Sequence, residues 1–369
     1  MGDLLKIILP LKILHNPCIQ IMQYFLFAFS ILLVIVTFIP LIKNEYWIFR
    51  VCDYPRLQKL VIAIVCIVLL SLYFKTDYGF NELLLLIMIL NAAYLLCQIL
   101  PFTWLGKKQV QRITAEIPEN GFRVMISNVY QDNKNYKGCL EEIKKANPDV
   151  LLLLETNSAW EKETNVLEDH FPFYKKVPLE NTYGMLLYSK LELRNAEVKY
   201  LVEKDIPSIH TQIVLQGGQL VQVYAVHPEP PVPMENPTSK ERDKELLLVA
   251  DLAKDSALPV IVIGDLNDVA WSYTTELFLK MSGLLDPRRG RGFYNSFHAH
   301  YPFLRFPLDH AFISTDLKIK EIKRLHNFGS DHFPIFISLQ YEAAAKSQQH
   351  EMQPDQEDAA VAKEKKNAD

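Results

Sequence analysis

Hydrophobic residues are concentrated in three uncharged runs near the start of the chain. Ile21 to Ile42 (IMQYFLFAFSILLVIVTFIPLI), Leu60 to Phe74 (LVIAIVCIVLLSLYF) and Leu83 to Leu105 (LLLLIMILNAAYLLCQILPFTWL) contain no Asp, Glu, Lys or Arg. A bilayer core about 30 Å thick takes roughly 20 apolar residues in a helix, a length the first and third runs reach. The second is shorter, and Lys59 and Lys75 at its ends are placed to extend their ammonium groups to the headgroup layer. Helices of a soluble core would carry a polar stripe, and nothing amphipathic relieves these runs. A cleavable signal peptide fits poorly, because the first run exceeds the usual apolar stretch of about 7–15 residues and no small-x-small site follows it. The pattern predicts a membrane anchor over residues 1–105 with three transmembrane helices, at about 21–42, 60–74 and 83–105.

After a polar linker over 106–120 the pattern changes to short apolar segments broken by polar ones. FRVMISNV (122–129) and VLLLLET (150–156) read as strands, with further strands at 184–189, 193–201, 209–215, 220–226, 259–265, 308–313, 319–324 and 335–341. YKGCLEEIKKANPD (136–149) predicts a helix closed by Asn147-Pro148. Thr238-x-x-Glu241 opens another that runs to about Lys254, a third lies near 274–282, and Ser158-x-x-Glu161 has the spacing of a capping box. Buried strands mixed with helices and hairpin-like pairs indicate an α+β domain over 121–341, a two-layered β core flanked by helices. Residues 342–369 lack apolar periodicity and read as a disordered, solvated tail.

Charge and cysteine usage narrow the function. A formal net charge of −4 gives no general attraction for polyanions, which argues against a carrier that binds nucleic acid by bulk charge. Cys18, Cys52, Cys66 and Cys97 belong to the anchor, and Cys139 alone cannot build a disulfide framework or a Cys-based zinc site in the rest. Lys43, Arg50, Arg56 and Lys59 follow the first run, and Lys107, Lys108 and Arg112 follow the third; Lys6, Lys12 and Lys75 fall on the other side. With three spans, the larger basic count shares a side with the C-terminal part. The positive-inside rule then puts that part in the cytoplasm, on a multi-pass protein of the cell's inner (plasma) membrane.

Polar residues recur at the ends of the apolar segments. Asn128 ends RVMISN, Glu155 ends VLLLLE, His227 ends VQVYAVH, and Asp265 and Asn267 end VIVIGDLN. Asp309 interrupts FPLDHAFIS, and Asp331 with His332 precedes the last strand. Any one of these taken singly is an ordinary turn residue or helix cap; the repetition at strand after strand points to one rim that collects Asn, Glu, Asp and His. Two carboxylates 4 Å apart repel by about 4 kcal/mol at an effective dielectric of 20. A rim holding Glu155, Asp265, Asp309 and Asp331 therefore needs a cation, a histidinium or a proton. An oxygen-rich set suits a hard ion, Mg²⁺ or Mn²⁺, better than zinc, and such an ion binds firmly once substrate phosphate oxygens complete its shell. The chemistry indicated is phosphoryl hydrolysis.

As a set, SN at 127–128, LLETN at 153–157, GDLND at 264–268, LDH at 308–310 and GSDH at 329–332 resemble the endonuclease/exonuclease/phosphatase superfamily. That group includes pancreatic deoxyribonuclease, apurinic endonucleases, inositol-polyphosphate 5-phosphatases and neutral sphingomyelinases. The likeness covers about residues 120–341; HPEPP (227–231) and GDLNDVAWS look most like a membrane-anchored bacterial branch. The resemblance implies a four-layered α/β sandwich of the deoxyribonuclease-like type, following the transmembrane helices. It implies Glu155 as principal metal ligand, helped by Asn128 and Asp331, and Asp265 as the base that aligns and deprotonates the attacking water. Asn267 would hydrogen-bond that water or the phosphate. His332, oriented by Asp309, would stabilise the scissile phosphate, and His227 would serve as acid to the leaving oxygen.

The sequence also departs from the family. Ile126-Ser127 stands before the first Asn, where many relatives carry Trp, and LRFPLDH lacks the Arg-x-Asp arrangement of several nucleases. Arg288, Arg289 and Arg291 in RRGRG are candidate phosphate contacts, with a solvated loop as the alternative. The expectation is a membrane-anchored, metal-dependent phosphodiesterase, nuclease-like because His227 echoes deoxyribonucleases. The same chemistry on a phospholipid headgroup is the alternative, and an inactive membrane interaction module is opposed by the intact set of polar residues. The partners implied are a phosphodiester substrate, nucleic acid or lipid headgroup, and the membrane; no protein partner is inferable.

Overall fold

The computed structural model describes residues 17–73 and 79–367, so Lys6, Lys12, Phe74 and Lys75 lie outside the described residues. Its first helices are α1 (Pro17–Phe38), α2 (Trp47–Val51), α3 (Arg56–Tyr73) and α4 (Gly79–Ile99). The chain divides into two compact units, one of residues up to Asn44 with Pro55–Ile99, the other of Glu45–Tyr54 with Leu100 onward. In the first unit α1, α3 and α4 bury a small seam of Leu33, Ala63, Cys66, Leu70, Leu84 and Met88. Phe25, Ile35, Val61 and Leu90 are exposed. The stretches Ile21–Ile42 and Asn81–Phe102 are long and apolar enough to cross a membrane.

The second unit holds two sheets. Its elements in order are β1 (Gly121–Asn128), α5 (Tyr136–Ala146), β2 (Val150–Leu154), α6 (Ser158–Thr164), β3 (Phe173–Val177), β4 (Met185–Ser189), β5 (Leu193–Lys199), β6 (Ser208–Val214) and β7 (Leu220–Ala225). Then come α7 (Lys240–Asp255), β8 (Val260–Asp265), α8 (Tyr273–Ser282), β9 (Asp309–Ile313), β10 (Leu317–Arg324), β11 (Ile335–Tyr341) and α9 (Gln356–Asn367). One sheet runs β10-β11-β1-β2-β4-β3 and the other β5-β6-β7-β8-β9. In each, one parallel pair is central: β1 with β2, and β7 with β8. Parallel pairs need a crossover, which α5 and α7 provide.

Alternation along the strands explains the layers. One face of each sheet meets the other in a core that includes Val124, Ile126, Leu152, Leu154, Ile209, Val223, Ile261 and Ile263. The opposite faces take helices: Met125, Leu151 and Leu153 pack on Cys139 and Ile143 of α5 and Trp160 of α6. Tyr224, Val262 and Phe312 pack on Leu246, Val249 and Ala250 of α7 and Phe278 of α8. Burying each of these large side chains stabilises the unit by about 1.5–3 kcal/mol before entropy is counted. The result is the deoxyribonuclease-like α+β sandwich of four layers.

Three expectations need correcting. The stretch 106–120 is not a free linker: Val110 is fully buried in the central core, and Arg112 bridges to Ile319 beside β10. The expected tail contains α9, whose Ala362 packs with Leu247 and Leu277. One small buried residue and two lysines that find carboxylates, Lys365 on Glu45 and Lys366 on Asp251, hold a helix that shows no apolar period. The cap of α6 is Asn157, which accepts from the amides of Ala159 and Trp160, and not Ser158. The edge strand β3 reads FYKKV, too polar to stand out in the sequence.

Close approach of β7 and β8 demands glycine at 264, where φ is +150° and an added Cβ would lie 1.8 Å from the Val226 carbonyl oxygen. Gly264→Ala is expected to destabilise the unit by about 3 kcal/mol, read as a lowered thermal midpoint of the purified chain.

Candidate active site

The parallel pairs end at a common rim, and the polar residues cluster there. Asn128 is the last residue of β1, Glu155 follows β2, His227 lies just beyond β7, and Asp265 ends β8. Asp309, the first residue of β9, is the cross-strand partner of Asp265. The amide of Asn128 joins the two sheets: its Nδ2 donates to Glu155 Oε1 at 2.7 Å and to Asp265 Oδ2 at 3.2 Å, while its Oδ1 accepts from the Tyr130 amide. His332 completes the group, with Nδ1 2.7 Å from Asp309 Oδ2 and Nε2 3.5 Å from Asp265 Oδ2. Ser330 anchors this turn by donating to the Asn128 carbonyl and accepting from the His332 amide.

Two of these residues adopt left-handed backbone, Glu155 at φ +56° and Asn267 at φ +51°. A non-glycine residue there costs on the order of 1 kcal/mol, and hydrogen bonds hold both in place. Glu155 Oε2 accepts from the Gln131 amide at 3.3 Å. Asn267 donates its amide N–H to Asp265 Oδ1 at 3.0 Å and its side-chain Nδ2 to the Pro228 carbonyl at 2.9 Å. Its carboxamide is thus turned to the backbone, bracing the loop that presents Asp265.

Electrostatics separate the two histidines. Burial works against charge on His332, but Asp309 first and Asp265 next outweigh it and push the imidazole up to about 10, so it is an imidazolium at neutral pH. His227 is 3% exposed, stacks on Tyr183 at 5.5 Å, and has no partner for Nδ1 among the described residues. Burial pushes it down, with Asp265 opposing, so burial disfavours the protonated form. Burial pushes Glu155 up to about 7, opposed by the Asn128 hydrogen bond and by His332. Asp331 is half-buried at the rim and adds negative potential at both Glu155 and His332.

The arginines of RRGRG do not join this cluster. Arg288 is buried on Asp286 at 2.9 Å and on His310 Nδ1 at 2.6 Å. Arg289 lies over the Phe102 ring, and Arg291 donates to the carbonyls of Pro287 and Val110. All three carry structural contacts, because the loop that holds them is folded under the residues that follow α4. Sequence reasoning misses Ser330, although GSDH contains it, and it misses Tyr54 and Arg242, which both donate to the Asn267 carbonyl. No motif marks Arg242, and Tyr54 lies in the segment between two apolar runs.

A sequence model described as the Endonuclease/Exonuclease/phosphatase family matches residues 125–332. Among solved structures, D. rerio TDP2 complexed with single strand DNA product is 15% identical at a TM-score of 0.50, over 59% of this chain and 98% of that one; it agrees with the fold. The human nocturnin catalytic domain with bound sulfate anion is 17% identical at a TM-score of 0.48, over 62% and 96%. An endonuclease/exonuclease/phosphatase from Bacteroides vulgatus is 16% identical at 0.49, over 60% and 99%. No curated protein sequence matches the chain. With more than half of its length matched, and with the strand ends of that stretch gathered at one rim, the chain belongs to the endonuclease/exonuclease/phosphatase family of phosphoester hydrolases.

Proposed function

We propose that the chain is a membrane-anchored, divalent-metal-dependent phosphodiesterase. The observation that carries this reading is the position of Asp265. It is 1% exposed, held by the Asn267 amide on one oxygen, and on the other it faces both the Asn128 amide and an imidazolium.

The donor set fits a hard cation. Glu155 and Asp265 face one point, occupied here by the Asn128 Nδ2 amide; a cation in that place would need the Asn128 carboxamide turned over so that Oδ1 faces it. Ligand-type atoms of Asp265, Asp309 and His332 lie within 4.8 Å of one another, but a protonated imidazole is no metal ligand, so these three compensate one another without an ion. Glu155 with Asn128 and Asp331 would hold Mg²⁺ or Mn²⁺, and the ion would supply Lewis-acid stabilisation of charge on the phosphoryl oxygens. Asp265 takes the proton of the attacking water. His332, its Nδ1 fixed by Asp309, directs Nε2–H at the phosphate and stabilises the charge that develops there. His227, whose protonated form burial disfavours, acts as a hydrogen-bond partner of the leaving oxygen rather than as a stored acid.

Of the two substrate classes, the lipid headgroup gains support from the rim. The three arginines expected to hold a polyanion are occupied elsewhere. Phe297 packs on His332 at 4.9 Å, and Phe303, six residues on, is 86% exposed. Met234, in the loop after His227, is 95% exposed. Glu45–Tyr54 folds with residues 100–369, which is consistent with the first loop and the C-terminal part sharing one side of a membrane; the assignment of that side to the cytoplasm rests on the basic residues alone.

The test is hydrolysis of bis(p-nitrophenyl) phosphate by the full chain in detergent, with Mg²⁺ or Mn²⁺ and with EDTA. Metal-dependent turnover that EDTA abolishes is expected; no turnover with any divalent ion overturns the reading. Parallel incubation with plasmid DNA, RNA and phospholipid vesicles assigns the substrate class.

A further inference from the structure

The loop between α1 and α3 folds with residues far along the chain, and its contacts converge on the catalytic turn. Tyr46 bridges to Thr238, the Trp47 amide donates to the Pro237 carbonyl at 2.8 Å, and the Ser239 amide returns a bond to the Glu45 carbonyl at 2.8 Å. The Arg50 guanidinium reaches Asp243 at 3.1 Å. Trp271 Nε1 donates to the Asp53 carbonyl at 3.0 Å. At the end of the loop, Tyr54 packs edge-on against Phe306 and donates its hydroxyl to the Asn267 carbonyl at 2.8 Å. That carbonyl also receives Arg242 Nη1 at 2.7 Å.

These bonds act on a strained residue. In the left-handed region the Asn267 peptide has little intrinsic preference to stay where it is, and its amide N–H is one of the bonds that orient Asp265. Without donors on its carbonyl, the peptide following Asn267 is free to turn; relaxation of the left-handed residue then changes φ together with ψ, and the change in φ tilts the preceding peptide and its N–H off the carboxylate. Solvation is no substitute, because Arg242, Asp268 and Trp271 around the turn are buried.

We infer that Tyr54, from the loop between the first two apolar helices, is a positioning residue for Asp265, acting through the Asn267 carbonyl. The segment lies outside the stretch that matches the family, residues 125–332, so the chain completes its catalytic turn with a segment of its own, placed between α1 and α3. The loop is continuous with Asn44 and Pro55, where the helical unit ends and resumes. The inference rests on the phosphodiesterase reading for its consequence in turnover, and on geometry alone for its consequence in the loop.

Tyr54→Phe in the full chain removes the hydroxyl and keeps the ring against Phe306. On bis(p-nitrophenyl) phosphate with Mg²⁺, kcat is expected to fall roughly fivefold, the worth of one ordinary hydrogen bond. KM and the Mg²⁺ half-saturation point stay at the parent's values, and the thermal midpoint moves by no more than about 4 °C. Amide hydrogen exchange of the peptide spanning Leu266–Asp268 is expected to speed up by a similar factor. Parent-like exchange there overturns the inference, as does parent-like kcat where the parent is active. If the parent turns over no phosphoester, the functional reading alone fails, and the exchange measurement still decides the role of Tyr54.

Discussion

Asp265→Asn is expected to lower kcat on bis(p-nitrophenyl) phosphate by about a thousandfold, within the span usual for loss of a positioned base, with KM little changed. The substitution is close to isosteric, and its remaining oxygen still accepts from the Asn267 amide, the 3.0 Å bond that sets the side-chain angle. What it removes is the proton acceptor and the anion that faces both Asn128 Nδ2 and His332 Nε2. Substrate binding draws on other groups, so the effect falls on turnover. Loss of one anionic neighbour also weakens the hold on the His332 proton, although Asp309 at 2.7 Å keeps the larger share. A variant within tenfold of the parent kcat, at saturating metal, removes Asp265 from the base role and with it the proposed chemistry.

The largest effect on stability belongs to Asp243, a residue with no part in the chemistry. Its carboxylate is fully buried among three cations, Arg242 at 2.9 Å, Arg50 at 3.1 Å and Lys365 at 2.9 Å, and accepts from the hydroxyls of Ser239 and Thr274 as well. It ties the loop between α1 and α3, α7, α8 and α9 together. Asp243→Ala leaves the three cations without their common partner, and removing one member of a buried ionic cluster costs about 3–5 kcal/mol. Thermal or denaturant unfolding of the purified chain measures it; a change under about 1 kcal/mol, what an exposed pair contributes, refutes the assignment. The same residue shapes the acid limb. Burial alone would raise the Asp243 pKa, but Arg242, Arg50 and Lys365 depress it far below the ordinary carboxylate range. A folded-state pKa below the unfolded one contributes stability that is fully present above about pH 4 and is lost as the pH falls further. The parent should therefore lose stability steeply below about pH 4, and Asp243→Asn should show a flatter acid limb from a lower starting value.

Much of the second unit is legible in the amino-acid pattern. β1, β2, β4 to β11 and the helices α5, α7 and α8 fall within a few residues of their expected positions, because each is apolar enough to declare its period and ends in a marked turn residue such as Asn147 or Gly283. β3 is hidden because an edge strand can be polar on both faces. α9 is hidden because its stability comes from Lys365 and Lys366 meeting carboxylates in other elements, a property absent from its own composition. The stretch 106–120 resembles a linker because its one fully buried residue, Val110, is isolated in sequence.

The gathering of Asn128, Glu155, Asp265, Asp309 and His332 is also legible, since each closes or opens an apolar strand and strand ends of a sandwich share a rim. By contrast, nothing in RRGRG distinguishes an arginine that reaches solvent phosphate from one that folds under a loop onto Asp286. The order of residues along the chain dictates which side-chain types stand at which strand ends, because burial forces the apolar pattern and turns release it. Which of those side chains meet is a matter of packing in three dimensions: the bond from Tyr54 to Asn267, the three cations on Asp243 and the orientation of Asn128 between two carboxylates. Those contacts join residues up to 213 positions apart, and at that range the partner of a polar side chain is set by where the packed elements bring it, a quantity that no local pattern encodes.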